Sequence, residues 1–150
     1  VSVKFRFTSD KAKSFNVWFD DYTYKGSHAG HICSVTINPK SVTVSDAKTG
    51  NFKNEIYEKR KADPKSLNDA EKALLATKTK NFPFVTTLQD WHTLVIQTKG
   101  DSVSVSIDGK AVGSFKSEGV THETKSLVSL TTNPVDVHYD DFSIKAAAKP

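Results

Sequence analysis

The chain has 150 residues, 21 of them basic and 17 acidic, for a formal charge of +4. That length suffices for one domain that buries roughly 70% of the surface its unfolded chain exposes, so neither a disulfide nor a metal is needed to close a core. The charges are scattered, with no basic stripe interleaved with aromatics, which argues against a nucleic-acid partner; no apolar run reaches the length of a membrane span. Cys33 is the lone cysteine, so an internal disulfide is excluded and the redox compartment stays open. The chain starts at Val1, contains no methionine and shows no signal peptide; the expectation is a processed product or a fragment that has lost a leader.

In chain order, Val1 to Thr8 alternates, with Val3, Phe5 and Phe7 set against Lys4 and Arg6. Ser14 to Tyr22 alternates again, sending Phe15, Val17 and Phe19 to one face and Asn16, Trp18 and Asp20 to the other. Tyr24 to Gly30 reads as a loop. His31 to Ile37 and Ser41 to Ser45 read as a hairpin about Asn38-Pro39, since proline fixes φ and an asparagine side chain bonds nearby backbone. From Asp46 to Asn81 the alternation stops. This excursion carries a helix at Asn68 to Lys78, where Asn68 and Glu71 have capping-box spacing and Leu67, Leu74 and Leu75 form a short apolar stripe.

Phe82 to Leu88 returns to strand, and Trp91 to Phe115 follows as a meander. Leu94 and Ile96 alternate with Val95 and Gln97, Gly100-Asp101 turns the chain, Val103, Val105 and Ile107 alternate with Ser102, Ser104 and Ser106, and Asp108-Gly109 turns it again. A strand with serines along one side cannot be buried on both faces without stranding hydroxyls, so this sheet has one face on a core and one in solvent or a cleft. Leu127 to Thr132 and Val135 to Lys145 finish the sheet, and Ala146 to Pro150 is expected to fray. About ten short strands with one inserted helix predict an all-β fold: a single antiparallel β-sandwich or jelly roll over residues 1–150, interrupted at about 46–81.

The order W-H-T-L-V-I, then G-D-S-V-S-V-S-I-D-G-K, then Val137-His138-Tyr139-Asp140-Asp141-Phe142-Ser143-Ile144, resembles the C-terminal half of concanavalin-like jelly rolls. Within these it is most similar to secreted bacterial domains grouped with the 3-keto-disaccharide hydrolases, which share their fold with laminin G modules and family 16 glycoside hydrolases. F-N-V-W-F-D-D-Y through G-S-H-A-G-H-I-C-S-V looks like the small secreted planctomycete-type members of that group. The resemblance implies a secreted or periplasmic domain that recognises carbohydrate, with hydrolysis of a 3-keto-disaccharide as the alternative. Such domains begin with further strands upstream, which this chain lacks. An incomplete sheet, or one completed by a second copy or a partner chain in a surface assembly, is therefore expected.

The family 16 branch carries its two carboxylates as E-x-D-x-E, so that nucleophile and acid project from one strand face. Glu55-Ile56-Tyr57-Glu58 places its glutamates three apart, on opposite faces of any strand, which argues against a retaining glycosidase of that kind. Three constellations remain. Asn16, Trp18 and Asp20, continued by Tyr22 and Tyr24, offer a flat aromatic platform for a pyranose with amide and carboxylate groups for its hydroxyls; alternatively Trp18 covers the sheet or packs against the 46–81 excursion. His28 and His31, in a loop with Gly26 and Gly30 and beside Asp20 and Asp21, form a metal-ligand or acid/base pair, or one opens a strand while the other is solvated. Asp136, His138 and Asp140 alternate to one face of the last strand, either orienting His138 as a base or forming the wet face of an edge strand. The Asp140-Asp141 doublet shifts the apolar parity between Tyr139 and Phe142, which predicts a β-bulge, and the paired carboxylates offer oxygen ligands to a structural Ca²⁺.

Overall fold

Among the described residues ten strands form two five-stranded antiparallel sheets that face each other across one core. The computed structural model describes residues 1–132 and 136–146. The first sheet runs β10 (Val137–Ser143), β1 (Ser2–Phe7), β6 (His92–Lys99), β7 (Ser102–Ile107) and β8 (Lys110–Lys116). The second runs β5 (Thr79–Pro83), β4 (Ser41–Asp46), β3 (His31–Asn38), β2 (Phe15–Asp20) and β9 (Leu127–Thr132). Residues of alternating parity fill the space between them: Val3, Phe5 and Phe7 from β1 meet Phe15 and Val17 from β2, all fully buried. The Phe5 and Phe15 rings lie 5.0 Å apart and Phe7 and Phe15 5.9 Å apart. The aromatic rows of two neighbouring strand segments thus close on each other from opposite sheets, burying large apolar area per residue.

The turns obey the local chemistry. Asn38 Oδ1 accepts from the amides of Lys40 and Ser41, each at 2.8 Å, which fixes the β3–β4 hairpin. Between β7 and β8, Asp108 and Gly109 take φ of +53° and +75°, the left-handed pair of a two-residue hairpin turn whose twist matches the flanking strands. Opposite Ser2 and Lys4 on β1 the partners on β10 are Ser143 and Asp140, an extra residue on β10, and Asp141 there has φ of +50°. The bulge expected from the Asp140-Asp141 doublet is present.

Several expectations are corrected. The excursion holds two helices, α1 (Asn54–Ala62) and α2 (Asp69–Thr77). α2 starts on the capping box, with Asn68 Oδ1 accepting from the Glu71 amide and Glu71 Oε2 from the Asn68 amide, both at 2.8 Å. Its leucine stripe is only partly covered, however: Leu67 is buried, Leu75 is half-buried and Leu74 is exposed, and no residue of α2 itself is buried. The strand expected at Phe82 to Leu88 lies at Thr79–Pro83, because Pro83 has no amide to extend the ladder; beyond it the amides of Phe84 and Thr86 turn to the carbonyls of Lys40 and Pro39. β1 is not an open edge but sits between β10 and β6, so the first and last strands pair internally and nothing in the N-terminal strand calls for a second chain. The expected strand start at Val135, and all of the tail but Ala146, lie outside the described residues.

Candidate functional site

The outer face of the second sheet is set by the alternation that fills the core. With Val17, Val35, Ile37, Val42 and Val44 buried inward, the intervening residues must project outward. Strand register then aligns them in two rows across all five strands. One row reads Thr131, Asn16, Thr36, Thr43, Asn81; the next reads Ser129, Trp18, Ser34, Ser45, Thr79. Apart from Trp18, every member carries a hydroxyl or an amide and none carries a charge. The groups are already ordered: Thr36 Oγ1 donates to Asn16 Oδ1 at 2.6 Å, Asn81 Nδ2 to Thr43 Oγ1 at 2.7 Å, and the Ser45 and Thr79 hydroxyls are 3.0 Å apart.

Trp18 stands in this polar field, half-buried. Its ring lies 4.4 Å from the His31 imidazole, tilted by 33°, and meets the Phe52 ring edge-on at 5.3 Å. In front of it opens a cavity of about 210 Å³. Trp18, Ser34, Thr36, Ser45 and Thr79 form the sheet side of that cavity, while Phe52, Leu75 and Lys78 of the excursion form the wall. Its volume is below the roughly 300–1,000 Å³ of sites for drug-sized ligands, so it suits one small ring. The indole packs on the excursion through Phe52, as the second expectation for Trp18 has it, and it also lines a cavity.

The predicted row from Asn16 to Tyr24 is divided. Asn16 and Trp18 remain on the face, but a register shift after Phe19 turns Asp20 against His31. The Asp20 carboxylate is buried and accepts from His31 Nδ1 at 2.7 Å, so it is committed to the imidazole and not free for a ligand. Among the described residues, the other nitrogen of His31 has no protein partner. Tyr22 and Tyr24 lie past the strand end and line, with Lys25, Ser27, His28 and Asn54, a separate open cleft of about 490 Å³. His28 stacks on Tyr57 at 3.8 Å and 11° and is 6.1 Å from His31, ring to ring.

The third constellation belongs to the other sheet. His138 Nδ1 bonds to Arg6 Nη2 at 2.9 Å on an exposed surface, and Asp136 accepts from Ser9 Oγ at 2.8 Å. His138 therefore does not join His28 and His31 in one acid/base group. Asp141 is bound to Lys4 at 2.6 Å, and Asp140 accepts from the Asp141 amide at 2.8 Å. A lysine ammonium in that position neutralises the doublet proposed for Ca²⁺, and among the described residues no group of three or more His, Cys, Asp or Glu side chains is placed to hold a metal ion.

Residues not singled out from sequence complete the surroundings. Phe52 forms the cavity wall. Ser34, Thr36 and Ser45 were visible only as the polar half of the strand alternation, and Thr79 fell in the 46–81 excursion, outside any expected strand. Behind Tyr24, His122 Nε2 donates to Asp21 Oδ2 at 2.8 Å, Lys48 Nζ reaches His122 Nδ1 at 3.2 Å, and the Lys48 ammonium lies 5.0 Å from the Tyr24 ring. The His122 hydrogen bond, with those from the Thr23 amide and hydroxyl, lowers the Asp21 carboxyl to about 2. Burial pushes the Cys33 thiol up to about 12, which removes it as a nucleophile at neutral pH.

A solved structure of sheep galectin-11, in complex with glycerol, has a similar fold. The two superpose with a TM-score of 0.51 over 92% of this chain and 86% of that one, at 14% sequence identity. No family model and no curated protein matches the chain. At that identity the likeness speaks for the fold: this chain is an antiparallel β-sandwich of the jelly-roll kind, as the sequence pattern predicts. It does not extend to the 3-keto-disaccharide hydrolase group.

Proposed function

We propose that the outer face of the second sheet binds carbohydrate. The observation that carries the reading is a half-buried indole set among two cross-strand rows of uncharged hydroxyl and amide side chains, fronting a cavity of about 210 Å³. A pyranose has an apolar face that lies on an aromatic ring and a rim of hydroxyls that both donate and accept, and Asn16, Thr36, Ser45 and Thr79 can do both in return. Galectin-11, the protein of similar fold, was solved with glycerol, itself a small polyol, which agrees with this class of ligand by analogy of fold. A secreted or periplasmic setting belongs to the same proposal.

The test is calorimetric titration against a panel of monosaccharides and short oligosaccharides. Trp18→Ala should weaken retention by more than about tenfold, the effect of losing a stacked ring at the centre of a site. Asn16→Ala, which leaves the cluster of Trp18, His31 and Phe52 rings intact, should weaken it several-fold while the circular dichroism spectrum is unchanged. A panel without a binder, or a folded Trp18→Ala protein that binds as well as the parent, overturns the reading.

A second reading rests on His31. Its Nδ1 is oriented by Asp20 and its second nitrogen is free of protein partners among the described residues, the arrangement of a general base. Hydrolysis of a 3-keto-disaccharide that disappears in His31→Gln would favour this reading over binding alone.

A further inference from the structure

The cleft beside Tyr22 shares a wall with the Trp18 cavity. Phe52 lines the cavity, and its ring stacks on His28 at 6.3 Å and 23°; His28 lines the cleft. His31 stands between them, 4.4 Å from Trp18 and 6.1 Å from His28. A continuous aromatic path therefore leads from one concavity to the other.

The cleft is built rather than incidental. The His28 amide donates to the Phe52 carbonyl at 2.8 Å, the Asn54 amide to the Gly26 carbonyl at 3.3 Å, and Asn54 Nδ2 to the Lys25 carbonyl at 2.6 Å, so loop and excursion are knitted together. Ser27 Oγ donates to the His31 carbonyl at 2.8 Å. Gly30, at φ of +72°, packs against the Asp21 carbonyl where a Cβ would collide. Tyr24 is held from behind by Lys48 and by the His122 ring at 4.9 Å. Tyr22, by contrast, is 63% exposed, an aromatic ring left at the mouth of a fixed cleft. The remaining lining is amide, hydroxyl, imidazole and ammonium, with no carboxylate. That mixture of phenol rings with hydrogen-bonding groups matches the first cavity in kind.

We propose that this cleft is a second subsite, and that the ligand of the Trp18 face is an oligosaccharide with one ring in the cavity and a further sugar residue against Tyr22 and His28. This rests on the carbohydrate reading of the Trp18 face. The cavity alone is too small for more than one ring, so a longer ligand must leave it, and the wall shared through His31 and His28 is the side on which further aromatic and hydrogen-bonding groups await it.

The experiment titrates the intact protein, Tyr22→Ala and Trp18→Ala with glucose, galactose and mannose, and with the disaccharides and trisaccharides built from each. In the intact protein the oligosaccharides of one series should bind at least about tenfold tighter than the monosaccharide. Tyr22→Ala, a change at an exposed side chain, should leave monosaccharide affinity as it was and bring oligosaccharide affinity down to the monosaccharide level, while Trp18→Ala loses both. Equal affinity for short and long members of every series, or Tyr22→Ala binding oligosaccharides like the parent, overturns the second subsite and leaves the Trp18 site standing. Absence of any binding by the intact protein overturns the carbohydrate reading and the subsite with it.

Discussion

Two histidine–aspartate pairs lie on different sheets of the sandwich, with the same 2.7 Å separation and different surroundings. His92, at the start of β6, gives Nδ1 to Asp108 in the β7–β8 turn, while its Nε2 lies 3.0 Å from the Thr87 carbonyl and its ring rests on Phe5 at 5.5 Å. Both nitrogens are used, and the ring is buried. His31, at the start of β3, gives Nδ1 to Asp20, but its other nitrogen has no protein partner among the described residues and its ring rests on the half-buried Trp18. The first pair ties a turn and a loop to the core. The second holds an imidazole in one orientation and, among the described residues, leaves its other nitrogen without a protein partner beside a cavity. The pair distance does not separate scaffold from site; the fate of the second nitrogen does.

The sharpest way to break this comparison is to remove each histidine in turn. His92→Ala deletes a buried ring and its hydrogen bonds to Asp108 and Thr87, and should cost about 3 kcal/mol in urea unfolding. His31→Ala removes a ring that is partly exposed but strands the buried Asp20 carboxylate, so it should cost a similar amount, about 3 kcal/mol, and unlike His92→Ala it should impair saccharide retention through the loss of support under Trp18. Ligand affinity that responds to His92 and not to His31 would erase the distinction. A third pair, His122 with Asp21, is the intermediate case, since Lys48 occupies the second nitrogen. The Asp21 carboxyl is lowered from 3.8 to about 2 in the folded state. Its stabilisation is therefore complete above pH 4 and is lost as pH falls from about 4 to about 2, because the unfolded chain takes up the proton first. His122→Ala should flatten the fall in unfolding free energy across that window, the smallest of the effects, and an unchanged slope would show that His122 does not hold Asp21 down.

Much of the sandwich was legible because its determinants are local. Period-two alternation identifies which residues of β1, β2, β6 and β7 face inward, and the Asn38-Pro39 and Asp108-Gly109 turns follow from side-chain chemistry at those positions. Alternation reports faces, however, and not neighbours. It places Phe5 and Phe7 inward without saying that β1 lies between β10 and β6, and it places Asn16 and Trp18 outward without aligning them with Thr36, Ser34 or Ser45. Helix α1 escaped because its sequence, NEIYEKRKA, buries Ile56 alone and its N-cap, Lys53, makes no side-chain cap, so neither stripe nor capping signal was there to read. Asp20 illustrates the same limit at the site: parity sets it beside Trp18, and a one-residue register shift with β3 hands its carboxylate to His31.

The interior position of β1, between β10 and β6, also has a bearing on how the chain acquires its structure. Val1 and Arg6 find hydrogen-bond partners 95 and 132 residues away, whereas β3 with β4, and β6 with β7 and β8, zip up from tight hairpins. Closing loops of that span is entropically slow. During synthesis, the segment carrying Phe5 and Phe7 leaves the ribosome before β6 and β10 and has no partner strand until they have emerged. Of the described strands, the first in chain order is thus among the last secured, and its phenylalanine face needs protection from self-association until then.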